Sequence, residues 1–283
     1  MEILKDIQLV GAAGRPFLLD AYYVPDGKAK PIVIFCHGFK GFKDWGHWDL
    51  LAKAFATAGF VFVKFNFSHN GTNILAPMEF ADLEAFGMNN YSKELSDLDA
   101  VLLWLHRGDN GLPAHEAALS DINLIGHSRG GAICVIKAAQ DPRIRKLATW
   151  AAVSRLDYAW NGPDFMQEWK KKGVYYVLNA RTGQQMPLYY QLYQDFKAKE
   201  QALDVKAATQ SLKKPMLIVH GTADAGVPAD AARQLQAWNE GAKLYLIEGA
   251  DHVFGGSHPY SSDSLPAHSQ ELAAVTISFM NEK

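Results

Sequence analysis

Cysteine is scarce in this chain. There are two in 283 residues, Cys36 and Cys134, and both lie inside apolar segments and read as buried. Two thiols make neither a disulfide framework nor a metal site of their own. No apolar run approaches the roughly 20 residues that span a bilayer. The N-terminal Met1-Glu2-Ile3-Leu4-Lys5-Asp6 has no charged-then-apolar signal pattern. An excess of one charge is also missing: 28 Lys and Arg face 30 Asp and Glu, so the formal net charge of -2 offers no basic surface to nucleic acid or membrane. The sequence contains no His-Glu-x-x-His pair, no Cys-x-x-Cys and no Gly-x-x-x-x-Gly-Lys phosphate loop, and neither metal nor other cofactor is expected. The expected setting is the reducing cytoplasm and the expected partner a small molecule, with a homodimer left open.

What is present is an ordinary globular balance, 48% hydrophobic and 20% charged, over a length that single α/β domains reach. Residues 1–24 suggest two strands. Pro31–Cys36, Phe60–Phe67, Ile122–Ile125, Leu147–Val153, Met216–Val219 and Lys243–Ile247 are continuous apolar runs, as strands covered on both faces require. Between them, Trp48, Leu51, Ala52 and Phe55, then Leu95, Leu98, Val101, Leu102 and Leu105, fall at helical spacing. Further helices carry Leu235 and Trp238 and close the chain from about Ala267 to Met280. Such alternation implies a mostly parallel sheet with helices on both faces. Right-handed crossovers then gather the C-terminal strand ends on one edge, where ligands bind. The segment from about Ser154 to Lys214 breaks the pattern: it shows no clear strand and holds ten aromatics. It reads as a cap (154–214) inserted into a core formed by 1–153 and 215–283, its aromatics packing the cap or lining a substrate pocket.

One pentapeptide stands at the centre of this frame. Gly126-His127-Ser128-Arg129-Gly130 follows the strand Ile122–Ile125 and precedes the apolar helix Ala132–Ile136. Chance alone supplies Gly-x-Ser-x-Gly in about one chain in ten of this length. Here, however, it sits on a strand-turn-helix, the geometry that lifts a serine hydroxyl above a sheet. A serine hydroxyl needs a base, and the base needs an acid to fix its tautomer. Asp224 follows the Met216–Val219 strand and His252 follows the Lys243–Ile247 strand, giving the order Ser128, Asp224, His252. The other readings of these positions are plainer. Asp224 lies in turn-forming Asp-Ala-Gly-Val-Pro, Asp230 is a reserve acid, and His258 and His268 are competing histidines. Asp251 adjoins His252 and cannot readily present its carboxylate to the same ring. His37 reads as a shaper of its loop, and His127 as a residue that points away from the attack line and packs or bonds locally.

With these motifs in order, the chain resembles an α/β-hydrolase over nearly its full length. His37-Gly38-Phe39 with Gly41, the Gly126–Gly131 elbow and the cap between the sixth and seventh strands resemble bacterial cinnamoyl and feruloyl esterases. They also resemble dienelactone-hydrolase-like and prolyl-oligopeptidase-like catalytic domains. The resemblance implies an eight-stranded, mostly parallel sheet and an oxyanion hole made by the backbone N–H groups of Phe39 and Arg129. It implies a serine hydrolase cleaving carboxylic esters with a small apolar or hydroxycinnamoyl-like acyl group. A serine at 128 argues against dienelactone hydrolase, dehalogenase and epoxide hydrolase chemistries, which take cysteine or aspartate there. Aminopeptidase or amidase action (with Glu168 and Glu200 as cap acids), thioester hydrolysis and a non-catalytic binding module remain as alternatives. The Arg129 side chain is expected in a surface ion pair, ahead of a cap acid or a substrate carboxylate as partner.

Overall fold

The apolar runs become strands whose alternate side chains enter two separate cores. We describe them in a computed structural model covering residues 1–158, 160 and 162–282. The first half of the chain forms β1 (Glu2–Val10), β2 (Pro16–Tyr23), β3 (Lys30–Cys36), α1 (Trp48–Thr57), β4 (Val61–Phe65), α2 (Leu83–Gly87) and α3 (Tyr91–Leu105). The elbow region follows as β5 (Ala117–His127), α4 (Arg129–Gln140) and β6 (Ile144–Trp150). Next come α5 (Pro163–Lys172), β7 (Val174–Leu178), β8 (Gln185–Tyr189), α6 (Gln191–Ala198) and α7 (Val205–Ser211). The chain ends with β9 (Met216–Gly221), α8 (Asp230–Trp238), β10 (Lys243–Ile247) and α9 (Ala267–Asn281).

Eight strands make one sheet in the order β1-β2-β4-β3-β5-β6-β9-β10. The β1–β2 and β2–β4 pairs are antiparallel, and all others are parallel. Ile32, Ile34 and Cys36 of β3 face one core, with α3 and α4, while Val33 and Phe35 face the other, with α1 and α9. This two-sided burial explains why the strands read as unbroken apolar runs rather than alternating ones. Register aligns the strand ends: Cys36 pairs with Gly126, His127 with Trp150, and Gly221 with Ile247. The loops after β3, β5, β9 and β10 therefore leave from one edge, as the alternation predicts. Both cysteines are buried and unbonded. No helix among the described residues is long and apolar enough to cross a membrane.

The insertion between β6 and β9 departs from the sequence reading. Instead of lacking strands, it contains an antiparallel hairpin, with Val174 paired to Tyr189 and Leu178 to Gln185. Val-Tyr-Tyr-Val-Leu is apolar or aromatic on both faces, so it shows no period-2 contrast, and five residues are too few to separate strand from helix by pattern. Nor does the whole insertion stand over the sheet edge: α6 packs on α3, and α7 packs on α4 at the flank of the core.

A cluster of buried charges that no motif announced holds the loop after β3. Lys43 Nζ lies 2.8 Å from Asp20, 2.7 Å from Asp44 and 2.9 Å from Asp6. Lys64 on β4 contacts Asp20 at 3.1 Å and also pairs with Asp44 and Asp49. Both lysines and Asp20 are fully buried. Each lysine faces three aspartates, and Asp20 and Asp44 each face both lysines, the compensation that buried charge requires. The Lys43 N–H also donates to Asn66 Oδ1 at 2.7 Å, so backbone and side chain of one residue anchor the loop together. Removing one cation leaves the fully buried Asp20 with a single counter-ion. Lys64→Met is expected to lower the unfolding free energy by about 3–5 kcal/mol in equilibrium urea titration. A loss below about 1 kcal/mol would show that the cluster contributes little to folding.

Candidate active site

Ser128 occupies a turn that ordinary residues avoid. It joins β5 to α4 at φ 55° and ψ -123°, a conformation that surrounding structure must impose. Two of its glycine neighbours allow the turn. A Cβ on Gly126 would lie 2.3 Å from the Gly130 carbonyl oxygen, and one on Gly130 would lie 2.4 Å from the Cys36 oxygen. The Ser128 N–H donates to Trp150 O at 2.8 Å, tying the turn to the neighbouring strand end. Ser128 opens into a cavity of about 230 Å³ that it shares with His37, Phe39, Trp45, His127 and His252.

Asp224 and His252 meet at the adjacent strand ends. His252 Nδ1 lies 2.8 Å from Asp224 Oδ2. The other carboxylate oxygen accepts from the N–H groups of Gly226 and Val227, each at 2.8 Å. His220 Nε2 stands 3.2 Å from Oδ2. Burial acts to raise the Asp224 pKa, but the hydrogen bonds from His220, His252 and Val227 outweigh it and hold the carboxyl well below the usual carboxylate range. An acceptor-only carboxylate leaves the proton on His252 Nδ1, so Nε2 is the free, basic nitrogen. The turn chemistry of Asp224 and its contact with His252 therefore coexist, one carboxylate oxygen serving each.

His127 both packs and hydrogen-bonds, and its bond reaches the loop after β10. Its Nε2 lies 2.8 Å from the His252 carbonyl oxygen, and the two rings stand 4.9 Å apart. A carbonyl only accepts, so His127 donates there and fixes the backbone of the neighbouring histidine. Burial, followed by repulsion from His252, holds its pKa down to about 3, keeping the ring neutral. His37 is likewise held down to about 4, chiefly by burial. Its Nδ1 donates to Gly38 O at 2.9 Å and its Nε2 accepts from the Phe67 N–H at 3.3 Å, bracing the loop as expected of it. That loop carries Phe39 beside Ser128. Among the described residues, no hydrogen bond engages the N–H of Phe39 or Arg129, leaving both available to a ligand.

A second cavity, of about 190 Å³, lies across Phe39. It is lined by five insertion aromatics, Tyr158, Trp160, Phe165, Trp169 and Tyr175, together with Arg129. The Arg129 side chain corrects the expectation of a surface ion pair. It is buried, 2.6 Å from the buried Glu94, with its guanidinium 4.6 Å from the Phe39 ring centroid. The insertion covers the elbow, so the first residue of α4 cannot reach solvent. Burial raises the Glu94 pKa, and Arg129 and Asn89 pull it back. A signal was present in the sequence: Glu94 lies three residues after Tyr91 and four before Leu98, within the apolar stripe of α3.

The reserve candidates lie elsewhere. Asp230 is exposed near Arg233, and neither it nor His268 lines either cavity. His258 accepts from the Gly46 N–H at 2.9 Å and so braces the far end of the Phe39 loop. Asp251 accepts from Val253 and Gly255 within its own turn. Glu168 and Glu200 are exposed and paired with Lys172 and Lys197.

A sequence profile described as the Alpha/beta hydrolase family matches residues 33–261, most of the chain. The chain belongs to that family. Solved α/β-hydrolase structures share its fold. Est1E from Butyrivibrio proteoclasticus is 18% identical with a TM-score of 0.70, covering 98% of each chain. An esterase domain from a Rhodothermus marinus protein is 18% identical with a TM-score of 0.64, covering 99% of this chain and 100% of that one. A putative dienelactone hydrolase from Klebsiella pneumoniae is 16% identical with a TM-score of 0.60, covering 100% of both. No curated protein matches the sequence.

The depressed histidines have a consequence for stability. An unfolded histidine titrates near 6.5, whereas His127 and His37 in the fold do so at about 3 and 4. Below about pH 6.5 the unfolded chain therefore binds protons that the native one refuses. The stabilisation is complete above that pH and is lost as pH falls toward 4, at about 1.4 kcal/mol per unit for each ring. Asp97, raised by burial to about 6, shifts stability the opposite way over the same window. The expected readout is thus a difference in slope: urea midpoints between pH 7.5 and 5 should fall less steeply in His127→Gln than in the parent. Equal slopes would contradict the assignment of a neutral, buried His127.

Proposed function

We propose that the protein is a serine hydrolase that cleaves carboxylic esters of small apolar or aromatic acids through an acyl-enzyme. The observation that carries this reading is the Asp224–His252 contact at 2.8 Å, on the cavity into which Ser128 is lifted. His252 Nε2 takes the Ser128 proton as Oγ bonds to the ester carbonyl carbon. The N–H groups of Phe39 and Arg129 hold the resulting oxyanion, a kind of contact whose loss typically costs about 3–4 kcal/mol. The tetrahedral intermediate collapses, the C–O bond to the alcohol breaks, and His252 returns its proton to the departing oxygen. Water repeats the sequence on the acyl-enzyme and regenerates Ser128.

The aromatic cavity across Phe39 supports an aromatic acyl group, because apolar walls favour a ring and Arg129, already paired with Glu94, leaves little net charge there. The structurally similar Est1E has been solved with ferulic acid bound. Aminopeptidase action receives no support from Glu168 and Glu200, whose carboxylates face solvent.

Two measurements test this reading. Ser128→Ala should lower kcat on aryl esters at least about a thousandfold with its circular dichroism unchanged, and Asp224→Asn by about ten-thousandfold through loss of the required tautomer. Parent-like turnover by Ser128→Ala would refute the mechanism. Val177 of β7 also lines the second cavity, and filling that cavity with Val177→Trp should lower kcat/KM for hydroxycinnamoyl esters at least tenfold more than for acetyl esters. An equal loss on both would place the acyl group elsewhere.

A further inference from the structure

The cavity that holds Ser128 and His252 is lopsided in charge. Its lining includes Lys40 and Arg181 but no aspartate or glutamate. Lys40 sits in the Phe39 loop with a left-handed φ of 57°, and Arg181 in the turn of the β7–β8 hairpin. Lys40 uses one donor on the Leu178 carbonyl at 3.3 Å. The Arg181 guanidinium lies over the Phe42 and Phe80 rings, 6.0 Å from each centroid. Neither forms an ion pair among the described residues, whereas Arg129 beside the other cavity is neutralised by Glu94. Lys40 is half-buried, and burial holds its pKa below the usual lysine range with no acid opposing the shift.

Asn179 adds an independent observation on the same wall. It is 6% exposed, and its backbone is fully engaged by Gln184, Thr182 and Gly183. Its Oδ1 accepts from the Arg181 N–H at 3.2 Å, which fixes the orientation of the amide. That leaves Nδ2 as a buried donor without a partner, on the lining shared with Ser128. A buried amide donor left unsatisfied is costly and calls for an acceptor. One amide and two cations, all donors, line a cavity smaller than the roughly 300–1,000 Å³ that drug-sized ligands occupy.

We infer that the substrate carries a carboxylate, seated among Lys40, Asn179 and Arg181 while its scissile carbonyl faces Ser128. Charge-assisted hydrogen bonds from a guanidinium and an ammonium are the strong kind, and the Asn179 amide supplies direction. The identity of the bond cleaved rests on the ester-hydrolase reading above; the carboxylate site does not.

The test therefore measures binding apart from turnover. Two matched pairs place the carboxylate on either side of the ester: monophenyl glutarate against methyl phenyl glutarate, and 3-acetoxybenzoate against its methyl ester. Each is titrated calorimetrically into the Ser128→Ala protein, with and without Arg181→Gln or Lys40→Met. In at least one pair the carboxylate compound should bind ten times more tightly or better. That preference should shrink to about twofold in either added variant and weaken with salt. Arg181 is exposed on a turn, and unfolding midpoints check that both variants remain folded. Equal binding within both pairs, or a preference that survives both substitutions, overturns the inference. Preferential binding without phenol release by the parent protein would sustain the carboxylate site and instead refute the ester-hydrolase reading.

Discussion

The structure turns on the conformation of one residue. Ser128 is held at a positive φ between a strand and a helix, and every neighbour of consequence is arranged around that turn. Gly126 and Gly130 have no side chain because backbone from the same elbow and from the end of β3 occupies the space. The strained turn aims the serine away from the sheet and places the N-terminus of α4 beneath it. Phe39, on the loop beside that turn, lines both cavities, one carrying Lys40 and Arg181 and the other walled by aromatics.

The remaining groups share the task of holding short loops still. The loop carrying Phe39 is fastened by the Lys43–Lys64–aspartate cluster, by His37 against Phe67, and by His258 against Gly46. The loop carrying His252 is fastened by His127 at its backbone and by Asp224 at its ring. Preorganised donors and acceptors of this kind do not reorient as charge develops, and this is where electrostatic catalysis gains most. Much of the site's polar machinery is thus spent on immobility rather than on contact with a substrate.

How much of this was legible in the sequence follows from range. The sheet, its order of strands and helices, and the edge on which Ser128, Asp224 and His252 gather are written in local runs and in the spacing of turns. The lysine–aspartate cluster is not, because Asp6, Asp20, Lys43 and Lys64 come from separate strands and loops and no periodicity links them. The burial of Arg129 depends on an insertion folding back over α4, a tertiary event, although Glu94 in the apolar stripe of α3 hinted at a buried partner. The β7–β8 hairpin was hidden by aromatics on both of its faces. Its turn brings Asn179 and Arg181 to the Ser128 cavity, so the feature least visible in the sequence is also the one on which the inferred carboxylate site rests.

The central claim is that Ser128 is a nucleophile activated by its surroundings, and covalent labelling tests it most directly. The folded protein treated with a fluorophosphonate should gain one adduct per chain, mapped by peptide mass spectrometry to Ser128. The adduct should be absent in Ser128→Ala and form far more slowly in His252→Gln. A folded protein that remains unlabelled, or one labelled at another residue, would contradict the account.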